Sequence, residues 1–280
     1  MSDSRAPTFT LGDLPVRRLG FGAMRITGPG IWGDPADRDE AIAVLRRAVE
    51  LGVNLIDTAD SYGPGVSEQL IAEALHPYPD DVVIATKGGL LRDGPHRWRP
   101  DGRPEHLRTV CDESLQRLRL EQIPLYQFHR PDPRVPFEDS VGALVELQRE
   151  GKIRHIGLSN VTVAELDRAL AVTPVVSVQN RYSPVDRRSD DVLARCEDAS
   201  IGFVPWAPLE SGGIGDQGEL ERVAAAHDAT PHQVAIAWLL ARSPAMLPIP
   251  GTGSIAHLEE NMAAASIELS TDELARLSPN

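Results

Sequence analysis

The feature that most restricts how this chain can fold is an alternation repeated along its whole length. Short runs rich in β-branched residues are separated by segments whose apolar positions follow a helical period. The runs fall at 19–22, 53–57, 82–86, 123–128, 153–158, 175–179, 201–206 and 246–249, which makes eight. Between them the spacing predicts helices over 39–51, 67–76, 105–118, 137–150, 163–171 and 190–199, then a pair over 220–228 and 231–242. In the first of these, Ile42, Leu45 and Val49 mark the period and Gly52 supplies the stop. The strand runs lack strict polar alternation, as strands buried on both faces should. Eight strand-then-helix units in 280 residues predict one domain, an α/β (β/α)8 TIM barrel. Ahead of it, 8–11 and 16–19, joined by 12–15, read as an N-terminal β-hairpin.

The competing architecture is an open, doubly wound sheet, which wants a Gly-x-Gly-x-x-Gly turn after its first strand. Gly20-Phe21-Gly22-Ala23-Met24-Arg25 lacks the last glycine, and that reading is rejected. Three longer non-helical stretches, 23–36, 88–104 and 210–217, follow the first, third and seventh strands, on the face where a barrel carries its active-site loops.

Charge and cysteine usage narrow the function classes. With 41 acidic against 28 basic residues and a net charge of -13, the chain is expected to have no nucleic-acid partner. Cys111 and Cys196 stand far apart in no metal-ligand spacing, so no metal and no disulfide framework are expected, and a reducing cytoplasm fits. Residues 1–12 hold no apolar core of signal-peptide length, and the longest apolar stretch, 234–241, is too short to span a bilayer. The expectation is a cytoplasmic protein with no membrane partner, monomeric rather than oligomeric.

Four residues at or just beyond strand ends carry a complete chemistry. Asp57 and Tyr62 close the segment from Val53, Lys87 follows Val83-Ile84-Ala85-Thr86, and His129 follows Leu125-Tyr126-Gln127-Phe128. Delivering hydride to a carbonyl creates an alkoxide that needs a proton, and Tyr62 is the candidate acid. Free tyrosine titrates near ~10, and an ammonium at Lys87 is expected to lower that by stabilising the phenolate. Asp57 would keep Lys87 charged, and His129 would donate to the substrate oxygen. Taken singly, each residue reads more simply as a turn-former or a packed side chain. As a set at one end of one barrel, they read as a catalytic site.

These residues are where the chain resembles a known family, the aldo-keto reductases. Asp57-Thr58-Ala59-Asp60-Ser61-Tyr62-Gly63 is similar to the family's Asp-Thr-Ala-x-x-Tyr signature, and Ala85-Thr86-Lys87 and Gln127-Phe128-His129 match its lysine and histidine strands. The resemblance implies a catalytic tetrad of Asp57, Tyr62, Lys87 and His129. It also implies Ser159, Asn160 and Gln179 as holders of a nicotinamide carboxamide, and Trp206, followed by Pro208 and Leu209, as the wall behind the ring. After the eighth strand, Gly251, Thr252, Gly253 and Ser254 lead into a helix over 255–264, where free N–H groups suit phosphates. There the family often holds the 2′-phosphate of NADPH with a lysine and an arginine. Gly251 and His257 occupy those positions here, so NADP(H) is expected with a weakened preference and NAD as a second choice, while Glu260 and Asn261 match adenine contacts.

The mouth of the pocket is expected to be lined by Met24, Trp32 and Trp98. A chain that ends soon after the helix over 272–277 is expected to leave that pocket open. The run Gly28-Pro29-Gly30-Ile31-Trp32-Gly33 resembles the bacterial branch that includes pyridoxal reductases. The implied activity is NAD(P)H-dependent reduction of a small aldehyde or ketone, pyridoxal among the candidates. The alternative is a regulatory subunit that holds the cofactor as a redox sensor with little turnover.

Overall fold

A computed structural model describes residues 7–206 and 217–278. A hairpin of β1 (Thr8–Leu11) and β2 (Leu14–Arg17) precedes β3 (Phe21–Gly22), α1 (Arg38–Glu50), β4 (Leu55–Asp57), α2 (Val66–Leu75) and β5 (Val83–Gly88). A second hairpin, β6 (Leu90–Gly94) and β7 (Arg97–Pro100), leads to α3 (Pro104–Leu118), β8 (Ile123–Phe128), α4 (Phe137–Arg149) and β9 (Ile153–Ser159). Then come α5 (Val163–Leu170), β10 (Ser177–Gln179), α6 (Asp190–Asp198) and β11 (Gly202–Phe203). Four helices finish the described chain: α7 (Gln217–Ala226), α8 (Pro231–Arg242), α9 (Ile255–Ala263) and α10 (Thr271–Arg276).

Seven strands form one sheet in the order β11-β10-β9-β8-β5-β4-β3, and every pairing in it is parallel. The eighth position is filled by the segment around Met246, which bridges Phe203 in parallel and donates a further bond from Leu247 N–H to the Phe203 carbonyl at 2.8 Å. On its other side Gly20 N–H donates to the Pro248 carbonyl at 2.9 Å, which closes the barrel. Pro248 and Pro250 lack N–H groups, so this last segment cannot sustain a regular ladder.

Strand alternation sorts the barrel interior from its exterior. Ile56 and Ile84 face outward with Phe21 into the helices, packing with Leu45, Leu70 and Ile71. Leu55, Val83, Ala85, Leu125, Val204 and Leu247 face inward and pack with Leu11, Leu14 and Val16 of the first hairpin, which plugs the bottom of the barrel. Because side chains alternate with a period of two, the next inward positions toward the carboxyl ends are Asp57, Lys87 and Gln127. A greasy floor therefore carries a polar layer directly above it.

Two local expectations change. The first hairpin turns on Gly12 and Asp13 alone, with Leu11 paired to Leu14, so its second strand begins at Leu14 rather than at 16. Gly12 at φ 67 takes the first central position of a two-residue turn, which glycine favours. The stretch 88–104 is not a plain loop, because β6 and β7 pair antiparallel within it, with a register shift between Arg92 and Gly94. The stretch 23–36 contains a single 3-10 turn, Ala23–Ile26. Most of 210–217 lies outside the described residues.

At the mouth of the barrel the first and last strands touch through glycines. A Cβ on Gly22 would lie 2.6 Å from the Ile249 carbonyl oxygen, and one on Gly251 would lie 2.3 Å from the Gly22 carbonyl oxygen. Both neighbours are backbone and cannot swing aside. Gly22→Ala and Gly251→Ala are each expected to destabilise the fold by about 1–3 kcal/mol, the usual cost of forcing extra volume into a packed place. Urea unfolding measures this, and two variants as stable as the parent would show that the closure is not tight.

Candidate active site

The site begins with a buried ion pair. Lys87 Nζ donates to Asp57 Oδ1 at 2.6 Å and to the Thr58 carbonyl at 2.7 Å, and the lysine side chain is wholly buried. The other carboxylate oxygen, Oδ2, accepts from Gln127 Nε2 at 3.0 Å and from Gln179 Nε2 at 2.8 Å. A buried charge pair is stable only when its remaining lone pairs and protons are also satisfied, and the two amides and the Thr58 carbonyl do this. Burial opposes the Lys87 ammonium, but the charge of the Asp57 carboxylate and the hydrogen bonds around the ammonium outweigh it, and the lysine pKa ends above its ordinary value. Lys87 is therefore an ammonium.

Tyr62 and His129 stand beside that ammonium. The Lys87 nitrogen lies 5.2 Å from the centre of the Tyr62 ring, and the tyrosine and histidine rings meet edge-on with centres 6.0 Å apart. Burial raises the phenol pKa, with Asp57 adding to it. Lys87 pulls the other way without prevailing, which corrects the expectation of a lowered phenol. Burial also drives the His129 pKa well below the ordinary value, helped by the charges of Lys87 and Arg130, so the imidazole is neutral. Its Nδ1 lies 3.5 Å from Ser61 Oγ. The site thus holds a protonated phenol, a fixed cation and a neutral imidazole on adjacent strands.

The segment bearing Tyr62 is braced from behind. Thr58 Oγ1 and Ser67 Oγ lie 2.7 Å apart, and Ser67 donates to the Ala23 carbonyl at 3.0 Å. Asp60 N–H donates to the Lys87 carbonyl at 3.2 Å, which ties the turn to β5. Buried Glu68 on α2 accepts from Thr86 Oγ1 at 2.6 Å and pairs with Arg117 on α3 at 2.6 Å.

A second group of expected residues forms one hydrogen-bonded chain. Ser159 Oγ donates to the Gln179 carbonyl at 2.8 Å, and Asn160 Nδ2 donates to Ser159 Oγ at 2.9 Å and to the His129 carbonyl at 3.1 Å. Trp206 Nε1 donates to Asn160 Oδ1 at 3.1 Å. Asn160 holds a left-handed backbone at φ 59, a conformation its short amide tolerates. The structure therefore links Ser159, Asn160, Gln179 and Trp206 to one another, to the histidine strand and, through Gln179, to Asp57. Pro208 and Leu209 lie outside the described residues.

At the far end of the barrel mouth, Gly251, Gly253 and His257 are exposed and Thr252 and Ser254 are half-buried. Ser254 is the N-cap of α9 but makes no side-chain cap bond, so the first N–H groups of that helix keep their donors. Glu260 is drawn away: its carboxylate accepts from Thr230 Oγ1 at 2.6 Å and its carbonyl accepts from Gln233 Nε2 at 2.9 Å, which knits α9 to the start of α8. Asn261 is buried.

Of the residues expected at the pocket mouth, the Trp98 ring meets Tyr62 edge-on at 6.4 Å, and Trp32 is 38% exposed. Met24 is half-buried in the 3-10 turn. Two residues emerge that the sequence reading did not single out. Gln127 was detectable, because it shares the inward phase of His129 two positions later. Arg92 was not, because nothing in Leu91-Arg92-Asp93-Gly94 distinguishes it from a solvated strand residue. Among the described residues no group of His, Cys, Asp and Glu is arranged to hold a metal, and no helix is long and apolar enough to cross a membrane. A separate depression between α7 and α10, lined by Glu219, Arg222, Glu273 and Arg276, is filled with ion pairs and contains none of the site residues.

The model of the Aldo/keto reductase family matches residues 18–278. An uncharacterised oxidoreductase of Schizosaccharomyces pombe is 50% identical over 98% of this chain and 90% of its own length. Pyridoxine 4-dehydrogenase of Escherichia coli is 45% identical over 96% of both chains. The crystal structure of an aldo/keto reductase from Klebsiella pneumoniae in complex with NADP and acetate superposes with a TM-score of 0.82 at 28% identity, covering 97% of this chain and 94% of that one. The chain belongs to the aldo/keto reductase family.

Proposed function

We propose that this protein reduces a planar aromatic or heteroaromatic aldehyde of the pyridoxal kind to its alcohol with NADPH, Tyr62 supplying the proton. The observation that carries the reading is the grouping of a protonated phenol, an ammonium fixed by Asp57 and a neutral imidazole within one buried site. Pyridoxine 4-dehydrogenase at 45% identity supports the substrate class, as do Trp98, edge-on to Tyr62, and Trp32, which shares the Arg92 guanidinium with Trp98.

The residues fit a nicotinamide cofactor. Ser159 and Asn160 suit the carboxamide. Gln179 has its amide nitrogen committed to Asp57, which leaves its side-chain oxygen as the atom that would accept from the same group. Trp206 offers a flat ring, and the uncapped start of α9 suits phosphate oxygens. Bound there, the cofactor supplies a hydride to the carbonyl carbon. His129 and Tyr62 hold the carbonyl oxygen, and Tyr62 releases its proton as negative charge grows there. The Lys87 ammonium then stabilises the phenolate left behind, while Asp57 keeps Lys87 charged and in place. In the reverse direction the phenolate takes the proton of the alcohol. None of these steps needs a nucleic acid, a membrane or a partner subunit.

Tyr62→Phe removes the acid and leaves the cofactor groups intact. The expected loss in kcat is about 10² to 10⁴-fold, the usual contribution of general acid catalysis, with NADPH affinity unchanged. Near-normal turnover of an aldehyde by this variant would remove Tyr62 from the role.

The directions of the pKa shifts set the pH profile. Reduction needs the phenol protonated, so the rate is lost only as pH rises through the phenol pKa, which burial has moved above the free value near ~10. Because His129 is neutral and Lys87 is charged across the neutral range, kcat/KM for reduction should be flat from about pH 6 to about pH 9. Oxidation of the alcohol should instead rise with pH over the same range. A reductive rate that halves between pH 7 and pH 8 would contradict the buried-phenol assignment.

For cofactor choice, NADPH is expected to be preferred over NADH by a modest margin, since Gly251 and His257 stand where a stronger phosphate grip would put basic side chains. His257→Arg should widen that margin by about fivefold, the effect of an exposed charge contact of roughly 1 kcal/mol. Fluorescence titration of both cofactors measures it, and an unchanged ratio would place the 2′-phosphate elsewhere.

A further inference from the structure

Arg92 gathers the walls of the site. Its guanidinium Nη1 donates to the Ile31 carbonyl at 2.6 Å and to the Ser61 carbonyl at 3.1 Å, and Nη2 donates to the Gly30 carbonyl at 2.8 Å and to the Gly94 carbonyl at 3.2 Å. These four acceptors come from three separate segments: the loop after β3, the turn that ends in Tyr62, and the β6–β7 hairpin. The guanidinium carbon lies 3.7 Å from the centre of the Trp98 ring and 5.6 Å from that of Trp32, so one cation holds both aromatic faces. Its Nε is buried without an acceptor, and no carboxylate among the described residues pairs with the side chain.

The surrounding backbone is bent to serve this contact. Gly30 at φ 71 and Ile31 at φ 58 are consecutive left-handed residues, and that conformation is costly for a β-branched side chain. Both carbonyls accept from Arg92, which offsets the cost. The same loop is stitched to the catalytic turn, with Gly33 N–H donating to the Gly63 carbonyl at 3.1 Å and Gly63 N–H donating to the Ile31 carbonyl at 3.3 Å. A general surface arginine would need none of this.

We propose that Arg92 is a positioning residue that sets substrate choice: by fixing Trp98, Trp32 and the Ser61 carbonyl around Tyr62, it builds the flat wall against which an aromatic aldehyde lies. The inference rests on the reductase reading above and assigns it a determinant. An aliphatic aldehyde has no ring to lay on that wall, so losing the wall should affect the two substrate classes differently.

The test uses the full chain as wild type, Arg92→Met, Arg92→Lys and Trp98→Phe, with saturating NADPH and either pyridine-3-carbaldehyde or propanal. Arg92→Met should raise KM for the aromatic aldehyde about tenfold, a change equal to losing one good aromatic contact, with kcat within about threefold and propanal kcat/KM little changed. Arg92→Lys keeps the charge but not the planar fork and should recover only part of the loss. Trp98→Phe leaves the arginine's four bonds in place and should shift the aromatic KM in the same direction, which keeps the idea testable where an Arg92 variant folds poorly. A readout independent of turnover is quenching of tryptophan fluorescence by acrylamide, which should increase in Arg92→Met as Trp98 and Trp32 lose their cover. Equal losses for both aldehydes, or unchanged KM values and unchanged quenching, would overturn the proposal. A wild type that turns over neither aldehyde would overturn the reductase reading, and the quenching result would then decide the positioning role by itself.

Discussion

The ion pair between Lys87 and Asp57 is the interaction on which the rest of the site depends. Both partners are almost wholly removed from water, and removing either would leave a bare charge in the barrel, a defect that typically costs about 3–5 kcal/mol. The pair persists because four strands contribute to it. β4 brings the carboxylate and the Thr58 carbonyl follows it, β5 brings the ammonium, and β8 and β10 bring Gln127 and Gln179. Lys87 serves Oδ1 of Asp57, and the amides from β8 and β10 both serve Oδ2. Closing the barrel and stabilising the cation are therefore the same structural problem.

That dependence explains why the fold and much of the site were legible in the chain. Strand runs with both faces buried, separated by helical spacing, left a closed parallel barrel as the consistent solution, and the period of two fixed which residues reach the interior. Gln127 follows from the same rule as His129 but resembles no catalytic group, so a search for chemistry passed over it. The hairpin at 90–100 was hidden for a different reason. Its strands are short, half-exposed and rich in arginine, and they present no apolar alternation to read. Glu260 also accepts from the hydroxyl of Thr230 at the start of α8, a contact that spacing could not show.

The sign of the phenol shift required three dimensions. From the sequence, a lysine near a tyrosine predicts a more acidic phenol. In the folded chain the phenol is buried as well as close to Lys87, and it also faces Asp57, so the effect of burial exceeds that of the cation. Distance along the chain says nothing about this balance.

The outcome suits an acid better than the sequence expectation did. A phenol acidified to near neutrality would spend part of its time as phenolate, which cannot protonate an alkoxide. Burial holds Tyr62 in its protonated form, and the ammonium acts once the proton has moved, when a phenolate exists to be stabilised. The same cation bears on the third group. Burial already disfavours a charged His129, and with Lys87 charged and adjacent a proton there would place a second positive charge in the barrel, so it stays a neutral donor. Burial thereby keeps both neighbours of the ammonium neutral, while the cation itself adds to the effect at His129 and opposes it at Tyr62.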